Sequence, residues 1–282
     1  MKLSLTHKET DYIRRIDPRD SILTLPVPKT YEEIWEECRE TFMDIDQMIA
    51  GTLYFPPREL IFRALEEVPL DEVRVGILGQ DPYHAPDVAN GLAFSTCADK
   101  IPPSLRNIFR ELKKEFPRLR IPRHGDLSFW CHQGVLLLNT SLTVEKGKPK
   151  SHSKMWFHFI IEVIKRTCIE REAKEGKKMI WLLWGRDAQD MAEYTTESSI
   201  KLMSAHPVSR GNSKTPFIGN NHFREVNRLL EQMGDEPINW ELPDVPLSCI
   251  RKQPVVQQEE RGDDMDVEDQ EVEHDSFSYE SD

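Results

Sequence analysis

The stretch Val73-Arg-Val-Gly-Ile-Leu-Gly-Gln80-Asp-Pro-Tyr-His84 decides the fold. Its first half is an apolar run of strand length, and it breaks at Gly79 into a polar turn containing a proline. The pattern recurs. Apolar runs at 135–138, 179–184 and 200–204 join 73–78 as four expected strands, with helical segments expected at 104–116, 155–175, 187–194 and 222–233. Strands alternating with helices predict a single α/β domain: a central, mostly parallel four-stranded sheet flanked by helices on both faces. In such sheets ligands bind at the carboxyl ends of the strands. Here each run leads into polar or glycine-containing sequence: Gly79-Gln80-Asp81-Pro82-Tyr83-His84, Asn139-Thr140-Ser141, Gly185-Arg186-Asp187 and Ala205-His206-Pro207. The topology therefore brings Gln80, Asp81, Asn139 and His206, far apart in the chain, to one rim.

Outside that core, residues 30–50 carry Tyr31, Ile34, Trp35, Cys38, Phe42, Ile45 and Ile49 at helical spacing. Thr30 reads as the N-cap, with Glu33 completing a capping box. Residues 1–29 are expected to be an N-terminal extension and 30–247 the α/β domain. Residues 248–282 are rich in Asp, Glu, Gln and Ser and poor in apolar side chains, which predicts an acidic disordered tail. The net charge of −12 is concentrated there: residues 251–282 hold three Lys/Arg against twelve Asp/Glu, leaving −3 for the first 250 residues. Local basic stretches then stand out, one running from Arg106 to Arg123 and another through Lys146, Lys148, Lys150 and Lys154. Charge alone reads them equally well as solvated surface or as phosphate-binding patches.

Several classes are excluded. No apolar run approaches the ~20 residues of a membrane span. The N-terminal stretch has no secretory apolar segment, so an intracellular location is expected. Five scattered cysteines, without a CxxC pair or a histidine at ligand spacing, predict neither a zinc nor an iron–sulfur site, and no metal or cofactor. There is no GxGxxG, no GxxxxGK[ST] and no GxSxG. The rim offers instead an Asp, a His, an Asn amide and, nearby, Phe94. An amide both donates to and accepts from a base edge, and an aromatic ring stacks on its face. Asp with His suits glycosyl transfer, where a sugar cation and an anionic leaving group both need stabilising. Singly, each residue has a plainer reading: Asp-Pro-Tyr as a turn, Asn139 as a cap, a lone His as a structural residue.

Taken together they resemble a known family. GQDPYH at 79–84, GLAFS at 91–95, IPPSLRNIFREL at 101–112, GVLLLN at 134–139 and AHP at 205–207 fall in the order and approximate spacing of family 1 uracil-DNA glycosylases. LLWG at 182–185 and HF at 222–223 are further landmarks, and the resemblance runs from Tyr31 to Trp240. It implies a monofunctional DNA glycosylase that flips uracil out of DNA and hydrolyses its N-glycosidic bond, leaving an abasic site for base excision repair. It also implies roles. Asp81 orients water and stabilises the sugar cation, while His206, as a neutral imidazole, donates to uracil O2. Asn139 reads the N3–H and O4 edge, Phe94 stacks on the base, and Tyr83 excludes a C5 methyl. The backbone near Gln80 helps hold the base. Pro102, Pro103 and Ser104 resemble the loop that grips phosphates, with Ser104 also capping the next helix.

The sequence departs from the family pattern twice. Gly185-Arg186 replaces a Gly-Ser phosphate loop, and Val208-Ser209-Arg210 follows His-Pro where Ser-Pro-Leu is usual, so Arg210 takes the wedge position. The partners implied are uracil-containing DNA and, through the acidic tail, a replication or repair protein. A monomer in a DNA-containing compartment and no membrane contact are expected. Two rival classes remain: a non-catalytic DNA clamp, and a glycosylase of broader range or an enzyme on free nucleosides. Retention of the whole rim argues against the first; against the second, Tyr83 argues against thymine and the phosphate-type loop argues for polymeric DNA.

Overall fold

The computed structural model describes residues 21–174, 176–209 and 213–247, all within one compact unit. Arg210 and the acidic tail lie outside the described residues.

In chain order the elements are helices α1 (Glu32–Glu37) and α2 (Arg39–Ile49), strand β1 (Tyr54–Phe55), α3 (Arg63–Glu67), β2 (Val75–Gly79), α4 (Pro103–Glu115), α5 (Ser128–Cys131), β3 (Val135–Asn139), β4 (Val144–Glu145), α6 (Ser153–Ala173), β5 (Ile180–Trp184), α7 (Arg186–Asp190), β6 (Ile200–Ser204) and α8 (His222–Gln232). The main sheet has the order β3-β2-β5-β6 and every pair in it is parallel. This is the α/β architecture expected. Every residue of β2, β3 and β5 is buried, because helices cover the sheet, so each strand reads as a continuous apolar run without alternation. The edge strand β6 is only partly covered, and Met203 is exposed there. Gly76 lies opposite Trp181 in the register, and a Cβ at Gly76 would overlap the indole, about 2.2 Å from its ring carbons. The glycine is the room the tryptophan needs.

The register also sets the site. Gly79 is level with Asn139, Leu78 with Leu183 and Trp184 with Ser204, so the polar continuations of all four strands emerge on one rim.

Three local expectations change. The helix at 30–50 is two helices, α1 and α2, broken at Cys38 (φ −101°, ψ 11°); the apolar spacing continues across the break, so periodicity does not reveal it. Thr30 does not cap: its Oγ1 accepts from Leu70 N at 2.9 Å, tying the helix start to the segment before β2. The buried core also takes in Ile22 and Val27, N-terminal to the boundary expected at residue 30, and Asp46 holds this segment by accepting from Ser21 Oγ and from Ile22 N. The antiparallel β1–β4 ribbon (Tyr54↔Glu145, Phe55↔Val144) was not foreseen, because two-residue strands carry no periodic signal.

Candidate active site

A cavity of about 510 Å³ opens at the rim, and Gln80, Asp81, Tyr83, Phe94, Asn139 and His206 all line it. Pro103 and Ser104 also reach it, as does Val208. The sheet thus assembles every residue expected for substrate and chemistry. It does so by short links between strand ends: Thr140 N donates to Gly79 O at 2.9 Å, and Thr140 Oγ1 to Gln80 O at 2.7 Å.

Each side chain is held differently. Asp81 is half-buried; one carboxylate oxygen accepts from Gln80 Nε2 at 2.8 Å, the other from the backbone N–H of Lys150 at 2.7 Å. Lys150 adopts a left-handed backbone (φ 64°), and its ammonium pairs with Asp187 at 2.5 Å. Two donors fix the carboxylate while leaving lone pairs for a water. Asn139 is buried, yet its carboxamide makes no hydrogen bond to the described residues. A Cβ at Gly79 would overlap Asn139 Oδ1, so the glycine in the GQDPYH motif is what lets the amide lie across the end of β2.

The aromatic wall is built from both sides. Phe94 sits in the left-handed region (φ 63°), an uncommon conformation for a residue with a side chain, and is packed against Trp184 at 5.6 Å and the His206 ring at 6.0 Å between centroids. Trp184 is in turn fixed by donating from Nε1 to His222 Nδ1 at 3.0 Å. Tyr83 donates to Phe94 O at 2.9 Å and meets Ser104 Oγ at 3.0 Å, and burial pushes its phenol up to about 12, so it stays neutral. Ser104 therefore does not cap α4. Pro102 is the N-cap without a side-chain bond, Pro103 begins the helix, and the buried Ser104 hydroxyl is engaged with Tyr83.

His206 follows β6. Burial lowers its pKa below the ordinary 6.5, against the opposing pull of Asp187 and Asp81. The Val208 N–H donates to Nδ1 at 3.3 Å, so in the neutral ring the proton lies on Nε2. Gly185 (φ 93°) packs against this histidine, where a Cβ would lie 2.8 Å from His206 Cβ. Arg186 is exposed at the start of α7 and makes no ion pair among the described residues; Ser209 is exposed, its N–H donating to His206 O at 2.8 Å. The basic stretches are partly neutralised within the chain: Lys148 pairs with Glu145, Lys150 with Asp187, and Arg120 with Glu241 and Asp244. Sequence reasoning missed Lys150 as a partner of Asp81 and the Trp184–His222 support. The second lay in two quoted motifs, WG and HF, whose contact only the fold shows.

An aromatic face, an uncommitted amide, a fixed carboxylate and a neutral imidazole in one cavity define an enzyme that binds a planar base and cleaves its bond to a sugar. Comparison with known proteins narrows the class. The sequence profile of the Uracil DNA glycosylase superfamily matches residues 65–231. The uracil-DNA glycosylase of Azotobacter vinelandii is 48% identical over 200 residues, covering 70% of this chain and 83% of that protein. The uracil-DNA glycosylase of Vibrio parahaemolyticus is 40% identical over 224 residues, covering 77% and 97%. The crystal structure of mimivirus uracil-DNA glycosylase superposes with a TM-score of 0.70 at 22% identity, over 82% of this chain and 93% of that one, a likeness of fold. The chain belongs to the uracil DNA glycosylase superfamily. Its activity is hydrolysis of the N-glycosidic bond that joins uracil to deoxyribose in DNA, the opening reaction of base excision repair.

Proposed function

We propose that the rim cavity receives a flipped uracil and that Asp81 and His206 carry the hydrolysis. Phe94 stacks on the base, the Asn139 carboxamide pairs with N3–H and O4, and the Tyr83 ring stands where thymine carries its C5 methyl. The N1–C1′ bond breaks with its electron pair passing to uracil, whose developing charge at O2 is met by the Nε2–H of neutral His206. Asp81 faces the sugar cation and orients the water that adds to C1′; the water proton passes to the carboxylate and then to solvent. The uracil anion takes a proton from solvent, so uracil and an abasic site result, with the DNA strand intact.

The observation that carries this reading is the bond from Val208 N to His206 Nδ1, which directs the only proton of the neutral ring outward on Nε2. Pro102, Pro103 and Ser104 at the start of α4, Gly185 and Arg186 at the start of α7, and Ser209 with Arg210 are assigned to the DNA backbone and the gap left by the base. The enzyme works as a monomer inside a DNA-containing compartment, and the acidic tail serves a replication or repair partner. Cleavage of a uracil-containing oligonucleotide after alkaline treatment tests the reading: His206→Leu and Asp81→Asn should each lose at least ~10²-fold, as for loss of one preorganised donor. Near-parental rates in both would reassign the site.

A further inference from the structure

Helix α4 carries three polar side chains at successive four-residue intervals, Asn107, Glu111 and Glu115, and this spacing puts them on one face. All three reach the chain that follows β6. Asn107 Nδ2 donates to Pro207 O at 2.7 Å, while its Oδ1 accepts from Arg110 at 3.3 Å. Glu111 accepts from Gly219 N at 2.6 Å on one oxygen and from Asn221 N at 3.2 Å on the other. Glu115 accepts from Phe223 N at 3.4 Å and Arg224 N at 2.7 Å, in the first turn of α8.

The two glutamates are 0% and 1% exposed and have no ion pair among the described residues; backbone amides and the positive end of α8 meet the charge the pair keeps, and the neighbouring Glu111 carboxylate adds to burial in favouring a proton on Glu115. Burial still pushes Glu115 up to about 7. Apolar side chains would join α4 to α8 at less cost in desolvation. What carboxylates add is a fixed position for each backbone atom they hold.

Those atoms lead to the catalytic histidine. Gly219 and Asn221 flank Asn220, whose Nδ2 donates to Ser204 Oγ at 3.2 Å, at the end of β6 and two residues before His206. Pro207, held by Asn107, is the residue after it. The first turn of the same helix carries Ser104, whose hydroxyl meets Tyr83.

We propose that Asn107, Glu111 and Glu115 are positioning residues for His206, a rail along α4 that sets where Nε2 lies relative to the base pocket. The inference rests on the catalytic reading of His206 given above. Asn107→Asp tests it with the least disturbance, since aspartate keeps the bond from Arg110 but cannot donate to Pro207 O. On a uracil-containing single-stranded oligonucleotide kcat should fall about tenfold or more while KM stays within about twofold, the mark of misplacement without lost binding. The half-buried position should leave Tm nearly unchanged. Nitrogen NMR of the His206 ring should change from one Nε2–H tautomer in the parent to a mixture in the variant. Glu111→Gln, which keeps one acceptor, should recover most of the kcat lost in Glu111→Ala. Asn107→Asp with parental kcat would overturn the rail, and so would a fall in kcat with an unchanged His206 spectrum. Full activity in His206→Leu would instead overturn the catalytic reading, and the ring spectrum would still decide the rail.

Discussion

The two ends of the main sheet carry cavities of similar size and opposite character. At the carboxyl ends lies the base pocket, about 510 Å³; at the other end Asp71, Arg74, Gln133, Arg171, Lys177 and Asp235 line a polar cavity of about 660 Å³. The larger one has most of its charged groups tied to each other, although Arg171 Nε is sealed from solvent without a partner among the described residues. Arg171 and Lys177 both bond Asp235, and Arg74 donates to the carbonyls of Gln133 and Glu236. In the base pocket the Asn139 amide makes no bond to the described residues, and neutral His206 directs a proton away from its own backbone partner. Volume, charge and a single sealed, unpartnered donor do not distinguish a reaction site; uncommitted hydrogen-bonding groups gathered around one open cavity do.

The sharpest test of that contrast is Arg171→Leu. Asp235 would keep Lys177 but lose a buried guanidinium, which should cost about 3 kcal/mol of stability in denaturant unfolding, with kcat unchanged at a temperature where the variant is folded. A fall in kcat without loss of stability would make the rear cavity part of the reaction.

A second effect, on the pocket side, concerns pH. Burial brings the His222 imidazole from 6.5 down to about 4, so it folds neutral while accepting from Trp184. With the folded value below the unfolded one, its contribution is complete above pH 6.5 and is lost as pH falls toward 4, at most roughly 3 kcal/mol. His222→Gln should flatten the decline in stability over that window. An unchanged slope would mean that another group titrates there.

Smaller effects should separate geometry from chemistry. Gly79→Ala sets a Cβ against Asn139 Oδ1 and should lower kcat about tenfold through displacement of the amide. Asn139→Asp should shift discrimination toward cytosine. Tyr83→Ala should admit thymine at a rate well below that for uracil, because the block at C5 is steric. Strict uracil specificity in folded, active forms of both would place selectivity elsewhere.

The same contrast explains what could be read from the sequence. Strands buried on both faces are apolar throughout and end abruptly, so β2, β3, β5 and β6 were legible to within two residues, and with them the rim holding Asp81, Asn139 and His206. Contacts made by backbone atoms were not. The Lys150 amide on Asp81 lies 69 residues away and depends on a left-handed turn. Glu111 and Glu115 carry no mark in a basic stretch of sequence, since their partners are backbone amides of α8 and the stretch leading into it. Ser104 stood at a plausible cap position, but Pro102 and Pro103 start the helix one residue earlier and free its hydroxyl for Tyr83.

The central claim, that chemistry resides in the uncommitted groups of one rim while the other end serves the fold, is tested most directly by one paired measurement. Single-turnover release of uracil from a single-stranded oligonucleotide is followed for His206→Leu and Arg171→Leu, both below their unfolding temperatures. The account predicts a loss of at least ~10²-fold in the first and a change within about twofold in the second. Comparable rates in the two variants, or the larger loss in Arg171→Leu, would contradict it.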